Sequence, residues 1–133
     1  MLDDSISPEV RELIDRHLSS VGHLETLTFL FEHRDRSWSP AQIGEELRTN
    51  VRYAEIQLRE LADSGLLERL ETKDGVAYRY RFENSHTDKA VEKLIKLYHS
   101  RRVSIIEAIY DQDRILERVR SFADAFKIKQ DEG

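Results

Sequence analysis

Five histidines, His17, His23, His33, His86 and His99, have the widest chemical range of any side chains in the sequence. No two of them fall at the His-x-x-x-His spacing that sets a pair of imidazoles on one helical face, so no metal site is expected. Cysteine is absent, which removes the disulfide and the thiolate as ligand or nucleophile. The 26 carboxylates lie among lysines and arginines in solvated stretches, with nothing marking a buried acid–base pair. The glycines are scattered rather than gathered into a phosphate-binding loop, and no serine has a positioned histidine. The expectation is a protein that is not an enzyme and holds no cofactor.

The arc most able to make specific contacts lies in "VRYAEIQLRELADSG", from residue 51. Val51, Ala54, Leu58 and Leu61 recur at helical spacing, and Ala54, Leu58 and Leu61 mark the helix's back. At 3.6 residues per turn the opposite arc carries Arg52, Ile56, Arg59 and Asp63, flanked by Tyr53, Glu55 and Glu60. Fork-shaped guanidinium donors around an isoleucine suit either the edge of a nucleic-acid base or an apolar hole in a protein partner. Charge tempers the first option. The net charge is −5, and between residues 48 and 81 seven basic side chains face six acidic ones. Phosphate neutralisation supplies most non-specific affinity for DNA, so tight non-specific binding is not expected.

The elements that would hold this arc can be traced outward from it. Asn50 is a suitable N-cap for a helix over 51–64, and Gly65 stands where a C-terminal glycine of left-handed geometry is expected. Upstream, "SPAQIGEELR" has Ser39 and Gln42 at capping-box spacing and Pro40 at the first helical position, with Ile43 and Leu47 facing inward. "VGHLETLTFLFEHR" predicts a helix with a wide buried face. "ISPEVRELIDRHLS" predicts another, with Ser7 as cap, Pro8 at its first position and Val10, Leu13, Ile14 and Leu18 on one stripe. Trp38, in the turn, reads as a plug over the helical core.

After Gly65 the period changes to two. "LLERLET" and "VAYRYRF" flank "KDG", a hairpin signal in which Tyr78, Tyr80 and Phe82 share the core face and Arg79 and Arg81 the other. "NSHTDKAVEKLIKLYHSRRVSIIEAIYD" predicts a long helix with Ser85 and Asp88 at capping-box spacing. Val91, Leu94, Ile95, Tyr98, Ile105 and Ile109 give it an apolar seam, broken by Arg102. "RILERVRSFADAF" continues amphipathically through Ile115, Leu116, Val119, Phe122 and Phe126, and "KIKQDEG" is expected to fray.

The fold class is therefore mainly α with a small β-hairpin: a winged helix-turn-helix plus a long C-terminal helix. The expected organisation is an N-terminal helix over 1–19, the winged helix-turn-helix over 20–84, a helical dimerisation region over 85–126 and a tail over 127–133. At 133 residues with a hydrophobic fraction of 39 %, a single core is feasible. The opening "MLDDSISPEV" is acidic rather than signal-like and no apolar run is long enough to span a membrane, so a cytoplasmic location without membrane contact is expected.

"PAQIGEELRTNVRYAEIQLRELADSGLLER…KDGVAYRYRF" resembles the winged helix of bacterial MarR-type transcriptional regulators, over roughly residues 20–83. The later "LYHSRRVSIIEAIY" and "RSFADAF" resemble small uncharacterised bacterial winged-helix proteins. The MarR resemblance implies double-stranded DNA as partner, with the third helix in the major groove. It implies Arg52 on a guanine edge, Gln57 on an adenine edge and Tyr53 on a phosphate, with Thr49 and Asn50 at the backbone and Arg59 on the same face. Lys73 at the wing tip, with Arg79 or Arg81, would reach phosphate or the minor groove. It also implies a homodimer built on Val91, Leu94, Ile95, Tyr98, Ile105 and Ile109. The alternative for that helix is to fold back on residues 8–18 of its own chain. The alternative for the whole module is an adaptor that docks a protein partner.

Overall fold

The computed structural model describes residues 6–81 and 85–111. Its elements run α1 (Pro8–His17), α2 (Val21–Glu32), α3 (Pro40–Glu46), α4 (Val51–Asp63), β1 (Leu67–Thr72), β2 (Gly75–Tyr80), α5 (Ser85–Ser100) and α6 (Arg102–Ile109). This is the expected winged helix-turn-helix, with α2, α3 and α4 as its three helices and the β1–β2 hairpin as its wing. Phe82 and the amphipathic stretch from Ile115 to Phe126 lie outside the described residues, as does the expected tail.

The caps fall largely where their residue types put them. Asn50 accepts from the Tyr53 N–H at 2.7 Å. Ser39 and Gln42 form the reciprocal capping box, and Gly65 takes the left-handed φ of +101° that ends α4. Ser7 occupies the N-cap position of α1, but its side chain makes no capping bond. Ser20 is a cap of α2 that sequence spacing does not single out, its hydroxyl accepting from the His23 N–H.

The helix-turn-helix depends on Gly44. A Cβ at this position would stand 3.0 Å from the backbone oxygen of Thr49 and 3.5 Å from Val51, and the Thr49 N–H donates to the Gly44 carbonyl at 2.8 Å. The turn is that tight because α3 has no side chain where α4 begins. Arg48 takes up the remaining curvature with a φ of +56°, an uncommon value for a non-glycine residue.

In the wing, β1 pairs antiparallel with β2, Leu67 opposite Tyr80 and Thr72 opposite Gly75. Tyr78 and Tyr80 are buried and Arg79 is exposed, as the two-residue period requires. Trp38 ties the wing to the helices: its backbone exchanges hydrogen bonds of 2.7 and 2.8 Å with Tyr78, adding a one-residue bridge to the hairpin. Its indole N–H donates to the His33 carbonyl, and its ring meets Phe29 edge-on.

Two expectations for the C-terminal region need correction. The single long helix is broken at Arg101, whose φ of −137° and ψ of 59° leave the helical region. A straight helix would carry Arg102 onto the buried seam between Tyr98 and Ile105, and burying an unpaired charge is costly. The break leaves Arg102 exposed, with its guanidinium over the Tyr98 ring at 5.1 Å. The second correction concerns the seam itself. Val91, Leu94, Ile95, Tyr98, Ile105 and Ile109 are all buried inside the one chain. α5 and α6 pack on α1, and the six residues belong to the same core as Val10, Leu13 and Ile14. Helix α5 has folded back on residues 8–17, so its apolar face is already covered.

At the other end of α5, Asp88 makes a contact that its spacing from Ser85 does not announce. It is buried, and it accepts a 2.6 Å hydrogen bond from the Tyr80 hydroxyl, which pins the foot of the wing to α5.

Candidate nucleic-acid interface

α4 is held from behind as its sequence demands. Ala54, Leu58 and Leu61 are buried, while Val51, expected to share that stripe, is half exposed because it lies at the helix's edge. Polar bonds from the α1–α2 turn supplement the packing. The Ser19 N–H donates to Nδ1 of His23, and Nε2 of that ring meets Oε1 of Glu60 at 2.7 Å. Nδ1 of His17 meets the hydroxyl of Ser64, at the C-terminal end of α4, at 2.9 Å. His23 is thus a buried bracket rather than a surface histidine, and its hold on Glu60 draws one acidic side chain toward α2.

Gln57 does not stand where the resemblance placed it. It is 6 % exposed, and its Oε1 accepts from the Ser20 hydroxyl at 3.3 Å. Position 57 falls on the buried side of α4, about 240° around the helix from Val51, so its amide faces α2 and not a base. Beside it, Tyr53 lays its hydroxyl against Gly22, where any Cβ would collide with it. Gly22 is a contributor that the sequence could have signalled only as an unexplained glycine inside a helix.

The exposed arc of α4 is as expected: Arg52, Tyr53, Ile56, Arg59 and Asp63 reach solvent, with Asn50 and half-buried Thr49 at its start. Its cations are not equivalent. Arg59 pairs with Glu55 at 3.4 Å, and Arg79 pairs with Glu68 directly across the hairpin at 3.0 Å. Such exposed pairs contribute only about 0.2–1 kcal/mol, so a phosphate can displace the carboxylate. Arg52 and Lys73 have no side-chain ion pair among the described residues, and Lys73 sits at the hairpin tip. Arg81 lies just past β2, its backbone N–H bonded to Leu66.

Between α4 and the wing lies an open cleft of about 350 Å³ lined by Glu55, Arg59, Asp63, Arg69, Val76 and Tyr78. Its two acids and two bases balance, so it attracts neither a polyanion nor a polycation strongly. The cationic character therefore sits at the ends of the surface, at the first turn of α4 and at the wing tip. Among the described residues no three His, Asp or Glu side chains converge as a metal site would require, and no helix is long and apolar enough to cross a membrane.

The arrangement defines a winged helix-turn-helix, and comparison with known proteins agrees at the level of fold. No family model matches the sequence, and no curated protein matches it. Among solved structures the chain is similar to a mutant of MepR from a multidrug-resistant S. aureus clinical isolate. The TM-score is 0.52 at 14 % identity, covering 100 % of this chain and 93 % of that one. At such identity the likeness speaks for the fold alone.

Proposed function

We propose that this protein is a DNA-binding transcriptional regulator that presents the first turns of α4 to the major groove and the hairpin tip to the phosphate backbone. The carrying observation is that Arg52, Tyr53 and Ile56 stand exposed at the N-terminal end of α4 while the rest of that helix is clamped from behind. The fold likeness to MepR and the resemblance to MarR-type winged helices support the same reading. Arg52 reads a base edge, Tyr53, Thr49 and Asn50 meet the backbone, and Lys73 reaches phosphate. Arg59 and Arg79 contribute where phosphate displaces the carboxylates that now hold them, and Arg81 adds its charge just past β2. The protein acts by binding and needs no cofactor.

A second copy of the chain completes the reading, because two modest half-site contacts reinforce one another when tethered. With the α5 seam covered, the contact proposed is one through α6. There Val103, in the first turn of the helix, is 69 % exposed.

Selection of bound fragments from a random duplex pool at physiological salt tests the reading. A consensus is expected, with affinity falling by about 0.9 log units per log unit of salt for each phosphate neutralised. Arg52→Ala should relax specificity at one position at a cost of about 1–3 kcal/mol. Lys73→Ala should weaken binding to all sequences alike and lower the salt slope by about one.

One observation favours a rival. Val51, Tyr53 and Ile56 are 50, 42 and 41 % exposed and all lie on α4, a concentration of apolar surface that suits a protein partner. In an adaptor, Ile56→Asp abolishes partner capture and the duplex pool returns no consensus.

A further inference from the structure

One side chain at the centre of the exposed arc of α4 cannot hydrogen-bond. Ile56 is 41 % exposed, one turn beyond Arg52 and on the same side of the helix, with Arg59 and Asp63 on the following turns. In a major groove only one base feature is apolar, the C5 methyl group of thymine. The burial of Gln57 sharpens the point. With the Gln57 amide turned to Ser20, and the Oδ1 of exposed Asn50 at the N-cap taken by the Tyr53 N–H, neither amide of this region is free to offer the paired donor and acceptor that match the adenine edge. An A·T pair facing Ile56 is then recognised from its thymine side, where the methyl group lies.

Resting on the DNA-binding reading, we infer that Ile56 is the specificity-determining residue for thymine. It packs on a thymine methyl within about two base pairs of the guanine read by Arg52. The spacing follows from the helix: four residues advance about 6 Å along its axis, and successive bases are about 3.4 Å apart. Apolar contact on the methyl removes both surfaces from water and needs no donor or acceptor.

The test starts from the consensus duplex recovered with the full chain. Each thymine is replaced in turn by deoxyuridine, which removes the methyl and leaves the hydrogen-bonding edge intact. One replacement, beside the guanine, should weaken binding about fourfold, the value of one methyl group taken from water. Ile56→Ala should bind the thymine and deoxyuridine duplexes equally. Because residue 56 is exposed, that variant should keep the melting temperature of the parent. Binding insensitive to every replacement, or an Ile56→Ala variant that still distinguishes the two duplexes, overturns the assignment and leaves the DNA-binding reading standing. Recovery of no consensus removes both.

Discussion

Tyr80 and Asp88 form a tie between wing and α5 that the removal of a single atom cuts. Burial, reinforced by the hydrogen bond to Asp88, pushes the Tyr80 phenol far above its ordinary range. The folded state therefore keeps the phenol protonated, and its contribution holds below pH ~10 and is lost as the pH climbs further. Tyr80→Phe removes the donor and, among the described residues, leaves both oxygens of a buried carboxylate without a partner, since Oδ2 of Asp88 has none there already. The expected loss is about 1–3 kcal/mol in urea unfolding at neutral pH, and a loss below ~0.5 kcal/mol would mean that water already serves Asp88. His17 gives the opposite dependence. Burial, helped by neighbouring Arg16, holds its pKa below the usual value, so the folded chain binds fewer protons than the unfolded one. Stability from this source is present above pH ~6.5 and drains as the pH falls. Between about pH 7.5 and about pH 5.5 the melting temperature should drop less in His17→Gln than in the parent. Neither partnership can be read in the sequence, because each joins residues on different elements and depends on burial that only the packed chain creates.

Among the elements, those written in local chemistry are the legible ones. Ser39 with Gln42, Asn50 and Gly65 announce the ends of α3 and α4, and "KDG" announces the wing, because caps and turns are recognised within a few residues. Two faces mislead for a different reason. The α5 seam has the right period for a helix pair, but the period cannot name the partner, and α1 of the same chain takes the place assigned to a second copy. Gln57 has a side chain that suits an adenine, but its angular position on α4 puts it toward α2. At this scale Gly44 carries the sharpest expectation. Gly44→Val gains a little helix propensity but drives a branched side chain into the Thr49 carbonyl and the start of α4, which are backbone and cannot rotate away. A net destabilisation of about 2–3 kcal/mol is expected, with DNA affinity lost beyond what unfolding explains, since the tilt of α4 changes. An unchanged unfolding midpoint would show that the turn can open at little cost.

For the whole molecule the question is how an acidic chain of net charge −5 could occupy the proposed operator when two cations of its proposed reading surface, Arg59 and Arg79, are each held by a carboxylate. Doubling the surface is the answer proposed above, and with the α5 seam covered within one chain the proposed contact lies on α6. If α5 were an intermolecular seam, Leu94→Ala would shift the monomer–dimer balance, and the unfolding midpoint would depend on protein concentration. With Leu94 sealed inside a single chain, the same substitution opens a cavity in the monomer's own core. It should cost about 2–5 kcal/mol while leaving the mass measured by light scattering unchanged. Val103→Glu should do the reverse. It places a charge at an exposed position of α6, so it should leave the stability of the separate chain within ~0.5 kcal/mol but halve the mass at micromolar concentration. A two-fold contact brings Val103 beside or near its own copy, and the charge would then be repelled as well as desolvated. The pair of variants separates core from contact in one experiment. Loss of the larger species in Leu94→Ala at unchanged monomer stability would return the seam to α5, and retention of it in Val103→Glu would remove α6 from the contact.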